Sequence, residues 1–270
     1  MKLRFIKAEG TGNDFIVLHN PDGKPGFLTT PVVKWLCDRH FGIGSDGILS
    51  IEKSENAHLF MRIINPDGTE AEMCGNGIRV TAALAVQVLG ITDNPINIET
   101  LAGIKPCHYE ITNGQVNSVS VDMGKPIIKD RIVNLPNIRF VGWSVNTGNP
   151  HFTVPSKDPV QDAKKYGPLL STHRDFPHGA NIEFIKKVGE TACELAVYER
   201  GAGITLSCGS GTTASISAAV RAEIFPRNTP IKVNLPGGTL WITVNNEGLA
   251  VLKGPAKLVF EGEITIPKGL

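Results

Sequence analysis

Two short runs, Cys74-Gly75-Asn76-Gly77 and Cys208-Gly209-Ser210-Gly211, share one pattern, and each leads into a segment with helical apolar spacing. A cysteine just ahead of a helix faces backbone N–H groups that have no acceptor within the helix, and their partial positive charge favours thiolate over thiol. The sulfur becomes a usable base. Two such cysteines suggest a two-base reaction, in which one sulfur takes a proton from one face of a tetrahedral carbon and the other returns a proton to the opposite face. A free thiol with a pKa of roughly 8.5 can serve in both directions near neutrality. An unpaired cysteine is more often a core residue; the repeated glycine context sets these two apart.

The natural target is the α-carbon of an amino acid. Its carbanion is unstable, and most enzymes that form it use an electron-sink cofactor. Without one, electrostatics must stabilise the charge, and a helix N-terminus can hydrogen-bond the substrate carboxylate on which that charge accumulates. Among the other polar residues, His151 in Thr147-Gly148-Asn149-Pro150-His151 could modulate proton traffic, or could simply be a hydrogen-bonded loop histidine. Glu199-Arg200 could hold an ammonium and a carboxylate, since the guanidinium fork matches carboxylate geometry, or could form a surface ion pair. Asn13, Asn65, Asn149 and Asn181 stand at strand ends or turns, where asparagine is favoured for backbone reasons alone. The segment Gly42-Ile43-Gly44-Ser45-Asp46-Gly47 matches the letter of a dinucleotide-binding pattern, but it follows a helix instead of a strand. No histidine pair has metal-binding spacing, and no metal is expected.

The elements that must position these residues can be read in outline. Lys2–Ala8 alternates as a strand, and Gly10–Asp14 is turn chemistry before the apolar run Phe15–Leu18. Thr30 as N-cap and Pro31 at the first helical position predict a helix that buries Val33, Leu36 and Cys37. A strand over 59–64 and the turn Asn65-Pro66-Asp67-Gly68 lead to Cys74, and Ile78, Ala82, Ala85, Val86 and Leu89 define a helix that stops at Gly90. Short strands follow over 95–123, broken at Asn113-Gly114. The second half repeats the plan: strands near 138–146 and 150–155, a helix near 159–170, strands at 181–187 and 191–199, then the Cys208 loop, an Ala-rich helix to about 223 and more short strands to 266. The shared order suggests an internal duplication.

Composition narrows the choice of partner. The chain has 270 residues, long enough for two domains of ordinary size. Lys and Arg total 27 against 26 Asp and Glu, so no field of one sign argues for nucleic acid or a membrane surface. A small-molecule substrate is expected. Glu9 and Asp14 interrupt the place where a signal peptide needs its apolar region, and the cytoplasm is the expected compartment. Five cysteines without a C-x-x-C or regular spacing read as reduced thiols.

With these motifs in place, the chain resembles the diaminopimelate epimerase family, collinearly and nearly end to end. The resemblance rests on Gly10–Phe15, Asp38–Asp46, Asn65–Gly68, Glu72–Arg79, Thr147–Val154, Glu199–Gly203 and Ser207–Gly211. It implies an isomerase that interconverts LL- and meso-2,6-diaminoheptanedioate without pyridoxal phosphate or any other cofactor, in lysine and peptidoglycan-precursor synthesis. Cys74 and Cys208 would be the acid–base thiols, with His151 and Glu199 in support. The reacting carboxylate would lie on the backbone N–H groups of Gly75, Asn76, Gly209 and Ser210. The distal amino-acid end would be read by Asn13, Asn65, Asn149, Asn181, Glu199 and Arg200.

The family fold is α/β (α+β): two pseudo-symmetric halves, each a curved, mainly antiparallel sheet wrapped around a central helix, with the active site in the cleft between them. Residues 1–115 would form the first half, joined by a returning strand at about 257–270, and 116–256 the second. A homodimer is the family's usual state. Two positions depart from commoner forms of the pattern: Gly47, where some members have Gln, and Ile204, where Glu is frequent.

Overall fold

The computed structural model describes residues 1–23 and 25–270. It divides into two compact units, Met1–Val121 with Gly254–Leu270, and Asp122–Lys253.

The first unit contains β1 (Lys2–Gly10), β2 (Asn13–His19), α1 (Thr30–Cys37), β3 (Gly47–Glu52), β4 (Leu59–Ile64), β5 (Glu70–Ala71), α2 (Gly75–Gln87), β6 (Ile96–Thr100), β7 (Gly103–Thr112) and most of β8 (Gln115–Gly124). The second contains β9 (Ile127–Leu135), β10 (Ile138–Asn146), β11 (Pro150–Pro155), α3 (Pro159–Ser171), β12 (Asn181–Gly189), β13 (Ala192–Glu199), β14 (Gly203–Thr205), α4 (Gly209–Arg221), β15 (Ile231–Leu235), β16 (Gly238–Val244) and most of β17 (Ala250–Gly254). The last strand, β18 (Lys257–Thr265), belongs to the first unit and pairs antiparallel with β1.

The pairings run in the same succession in both units. In the first, β1–β2 is antiparallel, β2–β3 parallel, β3–β4 antiparallel, β4–β6 parallel, and β6–β7 and β7–β8 antiparallel, with β5 added antiparallel to β4. In the second, β10–β11, β11–β12, β12–β13, β13–β15, β15–β16 and β16–β17 repeat that sequence of senses, with β14 in the place of β5. The parallel links need crossovers, which α1 and α3 supply for one pair and α2 and α4 for the other. The internal duplication is thus a duplication of topology.

Helices α2 and α4 are the apolar centres. α2 packs against β1, β3, β4, β6, β7 and β18, and α4 against β10, β11, β12 and β16. Gly75 to Ala85 are all buried, as are Gly211 to Val220, so both helices are enclosed all round, which their Ala, Gly, Ser and Thr side chains permit at close approach. In α1 the cap differs from expectation: the helix begins at Thr30 and Thr29 is the N-cap, with no side-chain cap bond. The Val33 N–H donates to the Thr29 carbonyl, so the ladder starts one residue earlier than Pro31 alone suggested. Cys37 is in the core, with Val32, Val33 and Leu36. Among the described residues, no helix is long and apolar enough to cross a membrane.

Candidate active site

Each cysteine is the N-cap of its helix. Cys74 lies in extended backbone (φ −138°, ψ 116°) and its Sγ accepts the Gly77 N–H at 3.4 Å; Cys208 (φ −130°, ψ 111°) does the same with Gly211 at 3.3 Å. Gly75 and Asn76, and Gly209 and Ser210, open the first turns, where N–H groups point out of the helix end.

Strand register identifies the matching positions of the two units. Ile63 opposes Ala71 three residues before Cys74, and Val197 opposes Thr205 three residues before Cys208. Across the next strands Leu49 opposes Ile63 and Glu183 opposes Val197, and Phe15 and His151 pair with Gly47 and Asn181. Asn13 therefore corresponds to Asn149, Asn65 to Glu199, Gly47 to Asn181 and Asn76 to Ser210. Most of the residues singled out from sequence fall on these shared positions or their helix caps.

Around Cys74, the Asn13 Oδ1 lies 3.8 Å from Sγ and accepts from Asn76 Nδ2 at 3.2 Å. Asn13 donates in turn to Asp46 Oδ2 at 2.9 Å. Arg39 binds Asp14 and Asp46 at 2.7 Å each, and Lys7 reaches both Asp14 and the Gly44 carbonyl. Burial acts to raise Asp14, but the bonds and charges of Arg39 and Lys7 outweigh it and hold the carboxyl at about 2. The glycine-rich 42–47 loop is thus structural, because the Gly42, Ile43 and Gly44 N–H groups cap the end of α1 and Asp46 orients Asn13. A Cβ on Gly47 would meet the Ile64 carbonyl at 3.0 Å, so a longer residue there needs a local shift. Asn65 closes the β4–β5 turn through Thr69, and Ile204 is exposed in β14.

Around Cys208, the Sγ lies 3.4 Å from Ser210 Oγ and within the electrostatic reach of Glu199, whose Oε1 accepts from Thr205 at 2.6 Å. Burial pushes the Cys208 thiol well above its ordinary value, Glu199 and Glu183 add to the rise, and Ser210 and the Gly211 N–H only partly offset it. This reverses the expectation of a thiolate drawn from the helix end alone: desolvation and two carboxylates outweigh the helix N–H groups. Burial likewise raises Glu199. His151 is fully buried, with Nδ1 at 2.6 Å from Glu183 Oε1 and Nε2 at 2.9 Å from Asn149 Oδ1. Asn181 Oδ1 accepts the Arg200 N–H at 2.8 Å, and the Arg200 guanidinium is fixed on the His178 carbonyl, with no ion pair to Glu199 among the described contacts.

Three contributors were given no role from sequence, although Asp46 and Arg79 lie inside motifs that carry the resemblance. Glu183 sits between Ile182 and Phe184 in a strand buried on both faces, so alternation could not mark it. Arg79, fully buried, ties the α2 N-terminus together by binding the Gly75 carbonyl, Asn76 Oδ1, Thr11 Oγ1 and the Pro255 carbonyl; burial lowers it to about 10. Asp46 looked like part of a glycine loop.

Comparison with known proteins gives a consistent set. A family model described as diaminopimelate epimerase matches residues 5–129 and 143–259. The diaminopimelate epimerase of Desulfitobacterium hafniense (strain DSM 10664 / DCB-2) is 37% identical over 277 residues, covering 96% of this chain and 97% of that protein. That of Bacillus subtilis (strain 168) is 34% identical over 276 residues, with 96% and 97% covered. Among solved structures, a Bacillus anthracis phenazine biosynthesis protein of the PhzF family superposes with a TM-score of 0.77 at 18% identity, covering 98% of this chain and 100% of that one. A probable proline racemase from Agrobacterium radiobacter K84 gives 0.78 at 13%, covering 99% and 94%. These two share the fold.

Proposed function

The chain belongs to the diaminopimelate epimerase family and is an isomerase of amino-acid biosynthesis, and from this premise we propose that it interconverts LL- and meso-2,6-diaminoheptanedioate by proton transfer between two cysteines. The observation that carries the reading is the matched pair of cysteine N-caps, each held by the N–H three residues on, at equivalent positions of a duplicated fold.

In this mechanism the substrate carboxylate is bound by the first-turn N–H groups at Gly75, Asn76, Gly209 and Ser210. One sulfur, as thiolate, removes the α-proton: the Cα–H bond breaks, an S–H bond forms, and the electron pair spreads into the carboxylate that the helix ends stabilise. The other sulfur, as thiol, delivers its proton to the opposite face, and the configuration inverts. Burial and its neighbouring carboxylates favour the thiol form of Cys208, the form that delivers a proton. Asn13, Asn65, Asn149, Asn181, Glu199 and Arg200 select the distal amino-acid end. The chemistry uses no cofactor, the compartment is the cytoplasm, where thiols stay reduced, and the assembly is a homodimer, which light scattering would test.

The deciding assay is α-hydrogen exchange in deuterated water. LL-diaminopimelate should exchange and epimerise while proline does neither, and the opposite pattern would sink the reading. Cys74→Ala and Cys208→Ala should each lower turnover by about 10²- to 10⁴-fold, the range for loss of a positioned acid or base.

A further inference from the structure

The two units carry different residues at one equivalent place, beneath the first turn of the central helix. In the first unit Phe15 and Leu49 fill it, both apolar and buried, and Leu49 Cδ2 lies 3.0 Å from where a Cβ on Gly77 would be. In the second unit the same positions are His151 and Glu183, both with no exposed surface, joined at 2.6 Å. Glu183 Oε1 lies 2.5 Å from where a Cβ on Gly211 would be, so the carboxylate is pressed against the first turn of α4. Its Oε2 is buried and has no hydrogen-bond partner among the described residues.

The fold does not need charge at this place, since the first unit builds it from hydrocarbon. Removing an imidazole and a carboxylate from water is costly, and a buried ion pair is often no more stabilising than apolar residues of similar volume. A pair kept under those conditions is explained by what it orients. A carboxylate is an acceptor only, so the His151 nitrogen that faces it must carry the hydrogen. That fixes the ring and turns the other nitrogen, Nε2, toward Asn149 Oδ1 at 2.9 Å; an amide oxygen also accepts, so a ring that serves both partners carries a hydrogen on each nitrogen.

We propose that Glu183 is a positioning residue for catalysis: it accepts the Nδ1–H of His151, so that Nε2 is the nitrogen presented to the reacting groups, and it does so from under the Cys208 helix turn. The logic parallels the buried Asp that orients the base of a catalytic triad. The proposal rests on the epimerase reading for the reaction but not for the hydrogen bond itself, and the two can fail separately.

Two measurements test it. In the wild-type protein, proton NMR with 15N-labelled histidine should show a far-downfield Nδ1–H resonance, assigned by its loss in His151→Phe, the residue type found at the equivalent place in the first unit. If that resonance is missing, or the His151 hydrogen resides on Nε2 alone, the proposal is overturned whatever the substrate proves to be. In Glu183→Gln, which keeps the shape but not the charge, the resonance should lose its far-downfield position and kcat for diaminopimelate should fall about 10²-fold, with KM within about threefold and an unchanged circular dichroism spectrum. A kcat within threefold of wild type would overturn it. Wild-type protein that shows the resonance but does not turn over diaminopimelate would refute the substrate and leave the assigned hydrogen bond standing.

Discussion

At the scale of single residues, the two cysteines share a backbone geometry but not an electrostatic setting. Arg79 is buried at the N-terminal end of the Cys74 helix, whereas the carboxylates of Glu199 and Glu183 act on Cys208. Glu199→Gln removes one of those negative charges, so the Cys208 thiol should titrate at lower pH, while still above its ordinary value because burial is the largest cause of its rise. The rate of iodoacetamide alkylation at Cys208, followed against pH by mass spectrometry, should shift to lower pH; an unmoved profile would contradict the assignment. Asp14 gives a stability prediction. Its folded value of about 2 lies below the ordinary aspartate value of 3.8, so the stabilisation is present above pH 3.8 and is lost as pH falls toward 2. Asp14→Asn should cost about 1 kcal/mol near neutrality, a figure kept small because Arg39 is largely exposed, and the gap in urea midpoints should close toward pH 2. Residues with a distinctive neighbourhood, such as the cysteines with their glycines, were legible in sequence. The roles of Glu183 and Arg79 were not, because they depend on burial and on partners such as His151 for Glu183, and Thr11 and Pro255 for Arg79, that lie far along the chain.

At the scale of elements, the second glycine of each motif is required for a different reason. A methyl on Gly77 would press on the flexible end of Leu49, at 3.0 Å, and the leucine can yield. A methyl on Gly211 would meet the Glu183 carboxylate at 2.5 Å, and that group is tied to His151. Gly77→Ala should therefore cost about 1 kcal/mol, and Gly211→Ala about 2–3 kcal/mol, by denaturant unfolding. Only Gly211→Ala should also displace the His151 Nδ1–H resonance. Elements with strong local signals, namely both central helices, the Asn65–Gly68 turn and the Gly90 stop, were readable because their punctuation is local. The α1 cap was misplaced by one residue, since Thr29 and Thr30 are chemically alike and only the hydrogen-bond ladder separates them.

At the scale of the whole molecule, a loosely repeated order of elements was visible in the sequence, but the matching succession of parallel and antiparallel pairings was not, because pairing sense depends on contacts between distant strands. The first unit is discontinuous: its β18 pairs with β1 from Lys2↔Thr265 to Glu9↔Lys257 and also packs on α2. Deleting residues 257–270 should strip one edge of β1 of its ladder, lower the melting temperature by several degrees and promote aggregation through the bared strand. Hydrogen exchange should show the loss of protection concentrated in residues 1–121, with the interior of α4 little changed; uniform loss would contradict two separate cores.

That discontinuity also sets an order of events on the ribosome. Translation runs through all of the second unit before β18 emerges, so residues 122–253 can complete their sheet while the first unit still lacks an edge strand. Against the usual tendency of the earlier-made domain to finish first, the part of this protein that is synthesised first is the last to close, and a nascent chain stalled short of residue 257 should expose β1 to chaperones.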